Sequence, residues 1–171
     1  MMKRLFAAVT GLVLAANVGL AAETTTNMAV SATVNRTCTV SAASLAFGAL
    51  NATTPTDALA AITISCTAGS AADTPTVTFG LGANFTGAQR YLKGGDAATP
   101  SALIPYGLFS DTGRSVAVTG STAVATATSN AGVTYSTSIY GRVAASPSFQ
   151  LGTYSDTVVV TVTYRATGPT S

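Results

Sequence analysis

The sequence predicts an all-β fold built as a single antiparallel β-sandwich, and three observations predict it. Apolar and polar residues alternate in short runs, the pattern of half-buried strands. Gly, Pro, Asn and Asp punctuate those runs at short intervals, Thr and Val recur within them, and Trp is absent. No stretch carries apolar residues at helical spacing over the length of a helix.

The first residues stand apart from the fold. Lys3 and Arg4 make a basic start, an apolar run follows from Leu5 to Ala16, and small residues close it from Gly19 to Ala22. This is the grammar of a secretory signal peptide, expected over residues 1–22 with cleavage after Ala21 or Ala22. The run is short of the roughly 20 residues that cross a bilayer, so no membrane insertion is expected. The mature chain, starting near Glu23, would be soluble and exported.

Without Lys3 and Arg4, six basic residues face six acidic ones. That balance provides no basic footprint for displacing counterions from phosphates, which excludes a nucleic-acid partner. The mature chain, about 150 residues, suits one domain with a real core. Cys38 and Cys66 form an even pair in an exported chain, which predicts one structural disulfide.

Taken in order, Met28, Val30, Ala32 and Val34 alternate with polar or small residues and give a first strand with one apolar face. Arg36 to Val40 continues extended through Cys38, and Leu45 and Phe47 precede Gly48. Asn51 to Asp57 is a loop containing Pro55. Ile62, Ile64 and Cys66 mark a strand, Ala68 to Pro75 a turn region, and Val77, Phe79 and Leu81 another strand. Gly82 to Pro100 is irregular, with a short strand at Tyr91-Leu92 and a tight turn at Gly94-Gly95-Asp96. Ile104 to Ser110 is a strand with Tyr106, Leu108 and Ser110 on one face, ended by a turn at Asp111-Thr112-Gly113. Ser115 to Asn130 is rich in Ala, Thr and Ser and has no assigned place. Val133 to Val143 is a strand, with Val133, Tyr135, Thr137, Ile139 and Gly141 on one face. After a turn from Ser146 to Gly152, Thr153 to Arg165 is the last strand, with Tyr154, Val158, Val160, Val162 and Tyr164 on one parity. About six or seven short strands separated by turns make a sandwich of immunoglobulin-like, Greek-key type.

The two ends of this sandwich do not balance. Little sequence follows Tyr164 to cover the edge of the last strand, while Met28 to Val34 is an extra strand at the start. Strand addition solves such a problem: backbone bonds zip onto the edge and alternate side chains fill core pockets. Filling its own gap would make a closed monomer, and filling the gap of the next copy would make a filament.

Several blocks occur together in order: Cys38-Thr39-Val40, Leu45-Ala46-Phe47-Gly48, and Ile62 to Gly69. Gly82-Ala83-Asn84, Arg90-Tyr91-Leu92, Ile104 to Asp111, Ile139 to Val143 and Gly152 to Tyr164 follow. In these blocks the chain resembles the spore coat protein U domain family, the subunit fold of archaic chaperone–usher pili. The resemblance implies an incomplete immunoglobulin-like antiparallel β-sandwich completed by strand donation. It divides the chain into a signal peptide at 1–22, an N-terminal donor strand at 23–35 and a pilin domain at 36–171. It implies that Met28, Val30, Ala32 and Val34 are the donor face used in polymerisation. Tyr154, Val158, Val160, Val162 and Tyr164 would form the acceptor edge strand, with Cys38–Cys66 as the disulfide. The implied partners are copies of the chain or other pilus subunits, a periplasmic chaperone and an outer-membrane usher. The implied location is a cell-surface pilus reached through the periplasm, in support of adhesion or biofilm formation. The bland 115–130 region lacks the aromatic that members often carry there, and the chain lacks a tip adhesin's extra binding domain, which favours a shaft or minor subunit.

Other functions find little support in the residues. With no His in the chain and both thiols assigned to a disulfide, no general base or nucleophile pair is available, so no enzyme is expected. Asp57, Asp73, Asp96, Asp111 and Asp156 are scattered, mostly where turns use Asp's side-chain hydrogen bonds, and lack the spacing of a calcium loop. No cofactor or metal is expected. Gly80-Leu81-Gly82 is read as a turn, not a dinucleotide fingerprint. Asn35-Arg36-Thr37, Asn51-Ala52-Thr53 and Asn84-Phe85-Thr86 match a glycosylation pattern that a Thr-rich chain produces by chance. The alternative is a secreted, self-complemented monomer that binds carbohydrate or coats a surface, with Tyr91, Tyr106, Tyr135 and Tyr140 as stacking residues.

Overall fold

A computed structural model describes residues 22–68, 74–95, 101–129 and 133–166. Of the signal peptide expected over residues 1–22, all but Ala22 lies outside them, as do Gly69, Asp73, Asp96 and Asn130. The chain divides into two units, Met1–Ala32 and Thr33–Ser171. In the first, residues 22–32 belong to no strand or helix, and Met28 and Val30 are 83 % and 80 % exposed.

The second unit is all-β among its described residues. Its strands are β1 (Cys38–Ala42), β2 (Thr56–Cys66), β3 (Thr76–Phe79), β4 (Phe85–Thr86), β5 (Gln89–Gly95) and β6 (Ala102–Phe109). They continue with β7 (Ala123–Ala125), β8 (Ala127–Ser129), β9 (Thr134–Val143), β10 (Thr153–Ser155) and β11 (Val160–Thr163). The larger sheet runs β1-β2-β9-β6-β5-β10, with β4 against β5 and β8 against β9, and the smaller runs β11-β3-β7. Every pairing is antiparallel.

Period-two patterning explains the two layers. On β2, Ala58, Ala60, Ile62 and Ile64 are buried while Asp57, Leu59, Ala61 and Ser65 face solvent. On β9, Tyr135, Ile139, Gly141 and Val143 point inward. The opposite wall supplies Val77, Phe79 and Val124 from the smaller sheet, and Val118 joins the same core. Burial of each large aliphatic side chain contributes about 1.5–3 kcal/mol before entropy is counted. Cys38 and Cys66 face each other in the β1–β2 register and form the expected disulfide.

Several elements differ from expectation: β2 already begins at Thr56, inside the loop expected over Asn51 to Asp57, and β4 and β5 run through the stretch expected to be irregular. Thr153 to Arg165 is not one strand: β10 pairs with β5 in the larger sheet, whereas β11 pairs with β3 in the smaller. Its residues keep one parity throughout, so alternation alone carries no sign of the change of sheet. Gly94 and Gly95 are not a turn but the end of β5, between β6 and β10. Gly94 is needed there because a Cβ would lie 1.9 Å from the Thr153 carbonyl oxygen. Gly80-Leu81-Gly82 is likewise no turn. Gly80 N–H donates to Val159 O and Ala83 N–H to Thr157 O, so pairing continues past β3 with one extra residue, a bulge with Gly82 at φ 94°.

Among the described residues two arginines are buried, and each donates to neutral oxygens. Arg90 lies between the sheets and donates to the carbonyls of Phe79, Gly80 and Val118. Burial lowers its pKa, while Tyr106 and Asp156 act the other way. Arg36 donates to Ala68 O and Tyr135 Oη and lies over the Tyr135 ring. Its backbone N–H donates to Ala166 O, so the start of β1 is tied to the chain just past β11. Among the described residues no buried side-chain polar atom is left without a partner.

Candidate strand-acceptor groove

The edges of the two sheets are not covered alike. β1 ends the larger sheet and β11 ends the smaller. On β1, Val40 pairs with Ile64 and Ala42 with Ile62, so both share the core-facing side of their partners. Ile64 and Ile62 are buried, yet Val40 is 41 % exposed and Ala42 is exposed as well. On β11, Val160 pairs with Phe79 and Val162 with Val77. Phe79 and Val77 are buried while Val160 and Val162 are only half-buried. At both edges, core-facing side chains stay partly exposed although the residues they pair with are buried.

Between these edges lies an apolar groove of about 180 Å³. Ala42, Ala43 and Leu45 line one wall, Val158 and Val160 the other, and Ile62, Phe79 and Ile139 are among the floor residues. It adjoins a wider cleft of about 650 Å³ between the Leu45–Leu50 segment and residues 149–156. Leu45, Phe47, Leu92 and Asp156 line both. The Arg36–Ala166 bond joins the two walls beyond the β1 start.

The residues expected to form the acceptor edge all have half-buried side chains. Val158, Val160, Val162 and Tyr164 lie along the smaller-sheet segment, and Tyr154 lies on β10 in the larger sheet. Tyr154 Oη donates to Gln150 O. Val34, like Met28 and Val30, is exposed, as is Ala32.

Asp156 was legible only as one of several scattered acids. Its carboxylate accepts from Tyr106 Oη at 2.7 Å and from Asn84 N and Nδ2 at 3.0 and 3.2 Å. The signal was present in the sequence: an acidic residue on the apolar parity, between Tyr154 and Val158. Asp111 behaves as expected of a turn, accepting from the backbone N–H groups of Ser115 and Val116, which hold its carboxyl below the usual range. Asp57 faces Arg142 in a two-pronged ion pair, with Arg114 also 3.2 Å from it. Of the four tyrosines considered for stacking, Tyr106 and Tyr135 are buried, and Tyr91 and Tyr140 are half-buried on the other parity of β5 and β9.

Fold and groove together define the class, an immunoglobulin-like antiparallel sandwich with an open apolar seam between its first and last strands. The chain belongs to the Spore Coat Protein U domain family, whose model matches residues 24–161. Among solved structures, it is similar to a chain in the crystal structure of the CsuC-CsuE chaperone-tip adhesion subunit pre-assembly complex from archaic chaperone-usher Csu pili of Acinetobacter baumannii. The TM-score is 0.53 at 21 % identity, over 74 % of this chain. The match spans 39 % of that longer chain. No curated protein matches the sequence.

Proposed function

We propose that this chain is a structural subunit of an extracellular pilus, assembled by donor-strand exchange through a chaperone–usher pathway and supporting adhesion or biofilm formation. The observation that carries the reading is the seam between β1 and β11, where core-facing side chains on both edges lack cover. Met28, Val30, Ala32 and Val34 supply an alternating apolar face suited to it. Burying Met28, Val30 and Val34 contributes roughly 1.5–3 kcal/mol each before ordering costs. A strand from another copy makes a heterologous contact that need not close, which generates a filament. Before assembly, a periplasmic chaperone would hold the seam, and an outer-membrane usher would exchange its strand for that of the next subunit. The family membership and the likeness of fold to a chain of a chaperone–subunit complex support this reading.

Electron microscopy of cells with and without the gene tests it. Surface filaments are expected in the first and not in the second, and to return when the gene is restored. Filaments unchanged by the deletion would count against it.

A further inference from the structure

We propose, resting on the groove reading above, that Asp156 is the positioning residue for strand exchange: its carboxylate sets the course of the last strand and so places the edge on which an incoming strand pairs. The chain changes sheets at this residue. Thr153–Ser155 pairs with β5, and from Thr157 onward the chain follows β3 and its bulge. Nothing in the apolar parity of 154–164 requires that change, so something else must hold it.

The carboxylate does so from two directions. Tyr106, on β6 of the larger sheet, donates to Oδ2. Asn84, just past the bulge that leads out of β3, donates to Oδ1 from its backbone and its side chain. Asn84 Nδ2 also bonds Ser155 O at 3.2 Å, so the residue before the pivot is held too. The bulge re-aims Asn84 onto the carboxylate, and Gly82 leaves it room. A Cβ on Gly82 would stand 2.1 Å from Oδ2. Two sheets and a bulge thus converge on one side chain, which lines both the groove and the adjoining cleft. Val158 and Val160, on the groove wall, follow it within four residues.

The test uses the full mature chain, refolded with a labelled synthetic peptide of residues 23–35 as the probe. The readouts are the rate at which the peptide enters an SDS-resistant complex and amide exchange along the chain, both well below melting. For Asp156→Ala we expect capture slowed about ten-fold or more, the scale of losing hydrogen bonds to a charged group. Exchange should quicken at 157–160 while 134–143 stays protected. Asp156→Asn should recover part of the rate, because an amide still bonds Asn84 and Tyr106. Should Asp156→Ala fail to fold, Tyr106→Phe removes one of the three bonds and is expected to slow capture. A wild-type capture rate in Asp156→Ala with 157–160 still protected, or in Tyr106→Phe when it stands in, overturns the proposal and leaves the groove reading intact. A wild-type chain that captures no peptide overturns both.

Discussion

The Tyr106 hydroxyl donates a 2.7 Å hydrogen bond to the Asp156 carboxylate, joining β6 to the point where the chain leaves the larger sheet. Burial raises the Tyr106 pKa above its ordinary 10.0, and the bond to Asp156 raises it further. The unfolded chain therefore releases this proton first, and stability falls as pH rises past about 10. Below that the proton is bound in both states and the contribution is level. Alkaline unfolding is expected to be less steep in Tyr106→Phe than in the wild type, and fluorescence-monitored melts between pH 8 and 11 check it. Parallel slopes would contradict the assignment.

Gly82→Ala is expected to destabilise the domain by about 2 kcal/mol or more, combining a strained left-handed backbone with a clash. Its φ is 94°, and the added carbon would meet Asp156 Oδ2. Gly87→Ala is the control, because φ is also positive at 60° but no atom lies within 4 Å of the new carbon. Denaturant melts of both variants separate the clash from the backbone term.

Replacing Cys38 and Cys66 together is expected to cost about 3–4 kcal/mol, the chain-entropy scale for a loop of this order. The bridge spans 28 residues of sequence and ties the exposed edge strand β1 to β2. Lower periplasmic yield and a lower melting temperature are the measurements. Unchanged stability would contradict it.

Asp57→Asn is expected to cost under about 1 kcal/mol, as for other solvent-exposed ion pairs. The hydrogen bond from Arg142 chiefly holds the Asp57 carboxyl below its ordinary 3.8. Its stabilisation is present above pH 3.8 and is lost as pH falls through the lower folded value. Acid melts of wild type and variant should therefore converge as pH falls below 3.8 and through the lower folded value.

Polar replacement of Met28, Val30 and Val34 together is expected to abolish polymerisation while leaving a foldable domain that still accepts a wild-type strand. Co-expression of the variant with its chaperone, read on non-boiled gels, checks this. Wild-type polymer yield would contradict it.

The parts of the fold with strict alternation were legible in the sequence. Strands β2, β6 and β9 carry buried residues at every second position along most of their length, and the cysteine pair followed from an even count in an exported chain. The strands between Phe85 and Gly95 were mostly hidden, because their glycines and polar residues imitate a loop. Gly94 serves instead to let β10 approach closely. Arg90 gave no signal, since a cation in a strand reads as exposed. Its burial depends on carbonyls contributed by β3 and by the segment at Val118, which local sequence does not reveal. Val118 and Val124 are core residues inside the bland 115–130 region, where isolated valines among Ala and Thr set no period. The open seam was inferred from strand order at the two ends. The pivot at Asp156 is marked in the sequence only by one acid on an otherwise apolar parity, which does not stand out among acids scattered through turns.

The proposed role requires an interior that stays uncovered until another molecule supplies the last layer. The most direct measurement is the size of the purified mature chain on a gel, with and without boiling, beside a version lacking residues 23–34. The account predicts a ladder of SDS-resistant multimers that collapses to one band on boiling and is missing from the shortened chain. A mature chain that runs as a lasting monomer, as stable without that segment as with it, would contradict the account.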